Sequence, residues 1–214
     1  MSVYATGSAT PSPPDTAPAS LTAKIMIAGG FGTGKTTMVG KVSEIEPLRT
    51  EETITEASSG IDSLAGVEAK TTTTVSMDFG RITFEVPQHL VLYLFGTPGQ
   101  DRFLYAWEEL SYGAIGAVIL ADTRQLDKCF TAIGYYEQRG VPFVVAVNEF
   151  EGARYSYTPD EVRRALQIPE EVPVLMFDAR DESSGAGVLI ALVEYALTQA
   201  RGLYPGLERM EQAR

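Results

Sequence analysis

The sequence predicts an α/β domain: a doubly wound, mostly parallel sheet of six strands, one of them antiparallel, with helices on both faces. Three observations predict it. Short, nearly all-apolar runs recur at intervals that leave room for helices, the pattern of strands covered on both faces. A glycine-rich stretch, GGFGTGKT at 29–36, stands between one such run and a helical stretch. One segment near the middle alternates apolar and polar residues, as a half-buried strand does.

In chain order, residues 1–20 are rich in Ser, Pro, Ala and Thr, with Pro11, Pro13, Pro14 and Pro18. Such a segment buries too little apolar surface to offset its ordering entropy and reads as a disordered tail. The domain is expected over 21–200, with a C-terminal tail at 201–214. Residues 25–28 form the first buried strand, and 37–45 a helix with Met38, Val42 and Ile45 on one side. Residues 46–70 make a long connection interrupted by Pro47, Gly60 and Gly66, of the kind that serves as a lid or binding segment. After four threonines, 71–74, Val75, Met77 and Phe79 alternate with polar residues; Ile82, Phe84 and Val86 then carry the apolar side. That change of parity predicts a bulge or tight bend around Gly80 and Arg81. Residues 90–95 (LVLYLF) read as a central strand that pairs antiparallel with this one. Strands at 117–121, 143–147 and 174–177 follow, with helices at 126–138, at 159–166 starting on Pro159, and from about Gly187. The last carries Leu189, Leu192, Val193, Ala196 and Ala200 as one stripe.

Composition narrows the function. A chain of 214 residues with 44% hydrophobic residues supports one cored domain with tails. A net charge of -11 argues against nucleic acid as a partner, since phosphate contacts need clustered Lys and Arg. The single cysteine, Cys129, excludes an internal disulfide, fits a reducing cytosol and reads as a buried thiol. No apolar run approaches the roughly 18 residues that span a membrane. No signal peptide, myristoylation site or prenylation cysteine is expected. The expectation is a cytoplasmic protein without direct membrane insertion, associating with membranes only through partners.

Residues 29–36 fit G-x-x-x-x-G-K-[ST], the phosphate-binding loop of P-loop NTPases. A triphosphate must be wrapped by main-chain N–H groups, and glycines at 29, 30, 32 and 34 allow positive φ and leave no Cβ in the way. The expected contacts are Gly29, Gly30, Phe31, Gly32, Thr33 and Gly34, then Lys35, Thr36 and Thr37 as the helix begins. Lys35 brings a point charge to the β- and γ-phosphates, and the Thr36 hydroxyl is a ligand for Mg2+. Ligands of such sheets sit beyond the carboxyl ends of the strands. That rule gathers the loop with residues 96–100, 148–151 and 178–180.

These segments resemble the Ras-like small GTPases over about 21–200, and most closely the bacterial branch with the gliding-motility GTPase and the conservon GTPases of actinobacteria. Thr74, with Thr73 as the alternative register, is similar to the first-switch Thr that closes over Mg2+ and the γ-phosphate. LFGTPGQDRF at 94–103 resembles the second switch. The resemblance implies that Gly99 offers its N–H to the γ-phosphate and that Gln100 orients the attacking water. Gly96 stands where the family has an Asp supporting Mg2+, which predicts weaker Mg2+ binding or a different arrangement around the ion. Pro98 stiffens this switch. NEFE at 148–151 stands where the family has N-K-x-D. There Glu151 replaces the Asp that pairs with guanine, Asn148 ties the loop to the phosphate loop, and Glu149 replaces the Lys that covers the base. In 178–180 the Ala179 N–H is expected to meet the guanine O6. Arg49 and Arg102 are candidate arginine fingers, each against the reading of a solvated surface residue.

His89 reads as structural or exposed, Trp107 as core or as an interface sensitive to nucleotide state, and Asp160, Glu161, Glu170 and Glu171 as solvated faces. The resemblance thus implies a GTP/GDP switch with slow Mg2+-dependent hydrolysis through Gln100 and Lys35, the metal on Thr36 and Thr74. The implied partners are a roadblock-type regulatory protein and a sensor-kinase-like membrane protein. Three other readings stand beside it. One is a nucleotide-dependent scaffold with negligible hydrolysis, suggested by Gly96 and Pro98, and another is ATP as the ligand. The third is a small-metabolite kinase, for which no Arg-rich lid is evident.

Overall fold

β1 (Leu21–Gly29) is the strand about which the other elements are arranged. The computed structural model describes residues 21–54, 73–85, 89–99, 104–150 and 156–203, the side chains of 49–54, 73–76, 104 and 105 excepted. β1 pairs in parallel with β4 (Leu90–Gly96) on one side and with β5 (Ala114–Ala121) on the other. β6 (Phe143–Asn148) and β7 (Val174–Phe177) continue the parallel sheet outward from β5. On the far side of β4 lie β3 (Thr73–Phe84) and then β2 (Leu48–Ile54). The order is β2-β3-β4-β1-β5-β6-β7, and β3 pairs antiparallel with both its neighbours. β3 therefore runs against the other six strands. The six strands expected from the sequence are present. β2 is a seventh, from the connection read as irregular, and it extends the sheet at the β3 edge.

Both faces are covered, so the central strands β1, β5 and β6 bury every side chain along their inner lengths. In β1, Ile25 and Ile27 face a layer formed by α1 (Lys35–Val42) and α5 (Glu182–Leu203), with Met38, Val39, Val188 and Leu189. Met26 and Ala28 face the other layer, with Trp107 of α2 (Leu104–Ser111), Ala132 and Tyr136 of α3 (Phe130–Arg139), and Val162 and Leu166 of α4 (Pro159–Leu166). This two-sided burial is why the strands read as apolar runs. His89 is half-buried just before β4 and lies 3.8 Å from Glu85. Cys129 is buried, and burial pushes its thiol up to about 12, so it stays an unreactive thiol at neutral pH.

Several expectations are corrected. The β3–β4 register runs without interruption from Asp78↔Gly96 to Phe84↔Leu90, so there is no bulge at Gly80 and Arg81. The parity changes because cover changes sides. Phe79 packs on Tyr93 and Phe95 on one face, while Ile82 and Phe84 of the other face join the layer under α1 and α5. Gly80 lies where α1 crosses: a Cβ there would sit 2.9 Å from Val39 Cγ1. α5 starts at Glu182, a turn earlier than the apolar stripe suggests, and runs to Leu203. The first helix ends at Val42 rather than at 45. Glu161 is not merely solvated: its carboxylate accepts from Thr158 N while Thr158 Oγ1 accepts from Glu161 N, a reciprocal cap for α4. Among the described residues no helix is long and apolar enough to cross a membrane.

α1 and α5 meet at Gly185, whose Cβ, if present, would lie 2.5 Å from Val42 Cγ1. Overpacking of that kind costs about 1–3 kcal/mol, more than the helix propensity of alanine returns. Gly185→Ala is therefore expected to lower the urea midpoint, by about 1 kcal/mol of stability. Gly187→Ala, in the same helix with open space around it, is expected to raise it by about 0.5 kcal/mol. Shifts of the same sign in both variants would contradict this close helix contact.

Candidate functional site

Five loops at the carboxyl ends of β1, β4, β5, β6 and β7 stand side by side because their strands do. The loop after β1 has three glycines at positive φ, Gly29 at 136°, Gly32 at 79° and Gly34 at 103°. Gly30, the fourth expected to need this freedom, is a glycine for space instead. Its Cβ would lie 2.7 Å from Lys128 Cβ. Thr33 Oγ1 closes the loop by donating to the Gly30 carbonyl at 3.0 Å. Gly34 caps α1 without a side-chain hydrogen bond, which leaves first-turn main-chain N–H groups, those of Thr36 and Thr37 among them, without a side-chain cap. Phe31 is 78% exposed at the tip of the loop.

Lys35 is buried and donates to the carbonyls of Gly29 and Gly30 at 2.8 and 2.7 Å. Burial lowers its pKa to about 8, with the negative charge of Asp78 opposing that fall. The ammonium is thus folded back into the loop that would present it to a phosphate. Gly99, after β4, rests on the same place: a Cβ on it would lie 2.7 Å from Lys35 Nζ and 3.0 Å from Phe31 N. Any side chain at 99 would strike the phosphate loop. The segment before it is anchored at both ends, by Thr97 N donating to Ile27 O at 2.9 Å and by Trp107 Nε1 donating to Pro98 O at 3.2 Å. Trp107 is therefore core, stacked on Tyr136 and edge-on to Tyr135, and also in contact with the segment after β4 through Pro98.

Asn148, at the end of β6, ties three loops together. Its Nδ2 donates to Thr33 O at 3.1 Å, and its Oδ1 accepts from Ala179 N at 3.0 Å. The expected tie to the phosphate loop is present. The Ala179 N–H, expected to meet the guanine O6, donates to Asn148 Oδ1. A Cβ on Gly34 would lie 2.7 Å from Asn148 Nδ2, so this contact also requires glycine at 34. Asp178 and Arg180 hold each other in a two-point ion pair. The hydrogen bonds from Arg180 bring the Asp178 carboxyl down to about 2.

The structure thus gathers Gly29, Gly30, Phe31, Gly32, Thr33, Gly34, Lys35, Thr36, Thr37, Gly99, Asn148 and Ala179 at one end of the sheet. Gln100, Arg102 and Glu151 lie outside the described residues. Thr74 stands in the β2–β3 ladder opposite Thr53, four residues along the strand from Asp78. At the rise of an extended strand that is about 13 Å. The β3 residue that meets Thr36 is Asp78: Thr36 Oγ1 donates to Asp78 Oδ2 at 2.6 Å. Arg49 is opposite Asp78 in the β2–β3 register.

Residues not singled out from the sequence are also here. Asp122, Arg124 and Lys128 follow β5, and the carboxyl-end rule would have pointed to them as it did to the other loops. Asp122 grips Arg124 at two points, and the Arg124 guanidinium lies 3.9 Å from the centroid of the Phe150 ring. Arg124 thus brings a cation beside the loop after β6.

A phosphate loop, its buried lysine and a hydroxyl next to a carboxylate form the phosphate end of a nucleotide site. The model of a family described as a conserved hypothetical ATP binding protein matches residues 27–199. The chain belongs to this family. The match runs from the end of β1 through most of α5, including every loop of the site. No curated protein matches the chain. Membership makes this a nucleotide-binding fold and agrees with the α/β architecture.

Lys35 supplies a pH test of nucleotide binding. The free protein loses its proton above about pH 8. Phosphate charges favour the ammonium, so binding restores the proton. Affinity is expected to be level below that pH and to fall as pH rises through it. Calorimetry at about pH 9 in two buffers of different ionisation enthalpy should report uptake of up to one proton per site. Lys35→Ala should abolish the uptake and most of the affinity. Unchanged affinity in Lys35→Ala would rule out a phosphate-facing Lys35.

Proposed function

We propose that the protein is a nucleotide-state switch that binds GTP with Mg2+ and hydrolyses it slowly. The observation that carries this reading is the Asn148 amide. It bridges Thr33 O and Ala179 N, so the phosphate loop and the loop after β6 form one wall. Glu151 stands three positions beyond it in the sequence. A carboxylate there accepts from the guanine N1–H and N2–H2 pair, whereas adenine offers an acceptor at N1 that repels it.

Hydrolysis joins a water oxygen to the γ-phosphorus and breaks its bond to the β–γ bridging oxygen, leaving GDP and inorganic phosphate. Lys35 and the loop N–H groups offset the charge that grows on the bridge, and Gln100 orients the water. Mg2+ when bound neutralises phosphate charge, with Thr36 as its protein ligand. The switching element is the contact of Gly99 with Lys35 and the loop. As the resemblance implies, the γ-phosphate accepts from the Gly99 N–H and holds this segment inward, and hydrolysis releases it. Inward closure of Thr74 requires it to leave the ladder with Thr53, which makes the β2–β3 edge the second moving part. The partner reading this change is a roadblock-type regulatory protein, with a sensor-kinase-like protein as a further member of the assembly, as the resemblance to the conservon and gliding-motility GTPases implies.

ATP as the ligand is the second reading, and the family description favours it. Competition against a fluorescent nucleotide separates the two. GTP is expected to displace it at least about tenfold better than ATP, a difference of about 1.4 kcal/mol. Equal or better displacement by ATP would assign the site to adenine. Gln100→Ala is expected to slow single-turnover hydrolysis about a hundredfold with little change in affinity. Unchanged background turnover in wild type and variant would leave a scaffold rather than an enzyme.

A further inference from the structure

The geometry points to Asp78 as the carboxylate that supports Mg2+ in this protein, supplied from β3 in place of an acid at position 96. This inference rests on the triphosphate reading of the site.

Asp78 and Gly96 are register partners on adjacent antiparallel strands, so their side-chain positions project from the same face of the sheet. A Cβ on Gly96 would lie 3.1 Å from Asp78 Cβ and 3.3 Å from Asp78 Oδ2. The space that an acid on β4 would take is already filled by an acid from β3. Two carboxylates there would collide and repel, so glycine at 96 and aspartate at 78 are a matched pair. The Gly96 position has not lost its carboxylate; the charge reaches the same place from the neighbouring strand.

Asp78 is also aimed at the expected metal ligand. It is 6% exposed, and its Oδ2 accepts from Thr36 Oγ1 at 2.6 Å. A hydroxyl has two lone pairs besides its proton. Thr36 can therefore offer oxygen to a cation while its proton stays on Asp78. That hydrogen bond orients the ligand and strengthens it as a donor, the usual work of a group behind a metal ligand. The negative charge of Asp78 acts on Lys35 as well, so the carboxylate is electrically part of the phosphate end. A site with few protein oxygens, completed by phosphates and water, suits Mg2+.

The test measures a fluorescent GTP derivative, and its ATP counterpart, across a MgCl2 titration and in EDTA. Asp78→Asn keeps the shape and removes the charge. The Mg2+ concentration at half-maximal nucleotide retention is expected to rise about 10–100-fold in this variant. Affinity in EDTA is expected to hold or improve, because a negative charge beside the phosphates is gone. A merely structural Asp78 would weaken binding equally with and without Mg2+, and that result would overturn the inference. The exchange Asp78→Gly with Gly96→Asp moves the carboxylate back to β4 and is expected to recover most of the Mg2+ dependence. A wild type that retains neither nucleotide refutes the triphosphate reading itself. A wild type that needs Mg2+, beside an Asp78→Asn variant with the same midpoint, refutes the role of Asp78 alone.

Discussion

The site depends on one steric constraint: backbone must pass within contact distance of other groups on every side of the loop after β1. A Cβ on Gly29 would lie 2.6 Å from Leu120 O, one on Gly34 would lie 2.7 Å from Asn148 Nδ2, and one on Gly99 would lie 2.7 Å from Lys35 Nζ. These approaches come from three directions, the ends of β5, β6 and β4. They meet because β1 is flanked on both sides in the sheet. Glycine at each position is thus a packing requirement as much as a conformational one, and the positive φ at Gly29 and Gly34 adds to it.

The same crowding organises the charges. Lys35 is buried among loop carbonyls, Asp78 is buried against Thr36, and Asn148 spends both ends of its amide on neighbouring loops. These three buried groups each have a specific hydrogen-bond partner, as desolvation demands. A polyanion entering here meets a lysine already partly dehydrated and held by the carbonyls of Gly29 and Gly30.

Legibility from the sequence followed the range of the interaction. The strands of the parallel sheet were readable because two-sided burial writes a continuous apolar run into each. The phosphate loop was readable because its requirements fall within eight consecutive residues. β3 was readable as a strand, yet its parity change was read as a bulge or tight bend, where the register runs unbroken. The pattern records which side of a strand is covered, and α1 crosses β3 at Gly80 only in three dimensions. Arg124 and Lys128 carry no local signature. Their nearness to Phe150 and Gly30 follows from the placement of β5 between β1 and β6.

By itself the sequence determined the alternation of strands and helices, the phosphate loop and the asparagine that braces it, because each is encoded in periodicity or in a short motif with its own chemistry. Tertiary structure alone decided where the carboxylate near Thr36 comes from. Position 96 reads as a missing acid, while Asp78 looks like an ordinary polar residue of an alternating strand. Thr36 and Asp78 are separated by 42 positions along the chain. Only the antiparallel register of β3 on β4 sets Asp78 beside Gly96, and a register is a property of two strands that neither strand's sequence states.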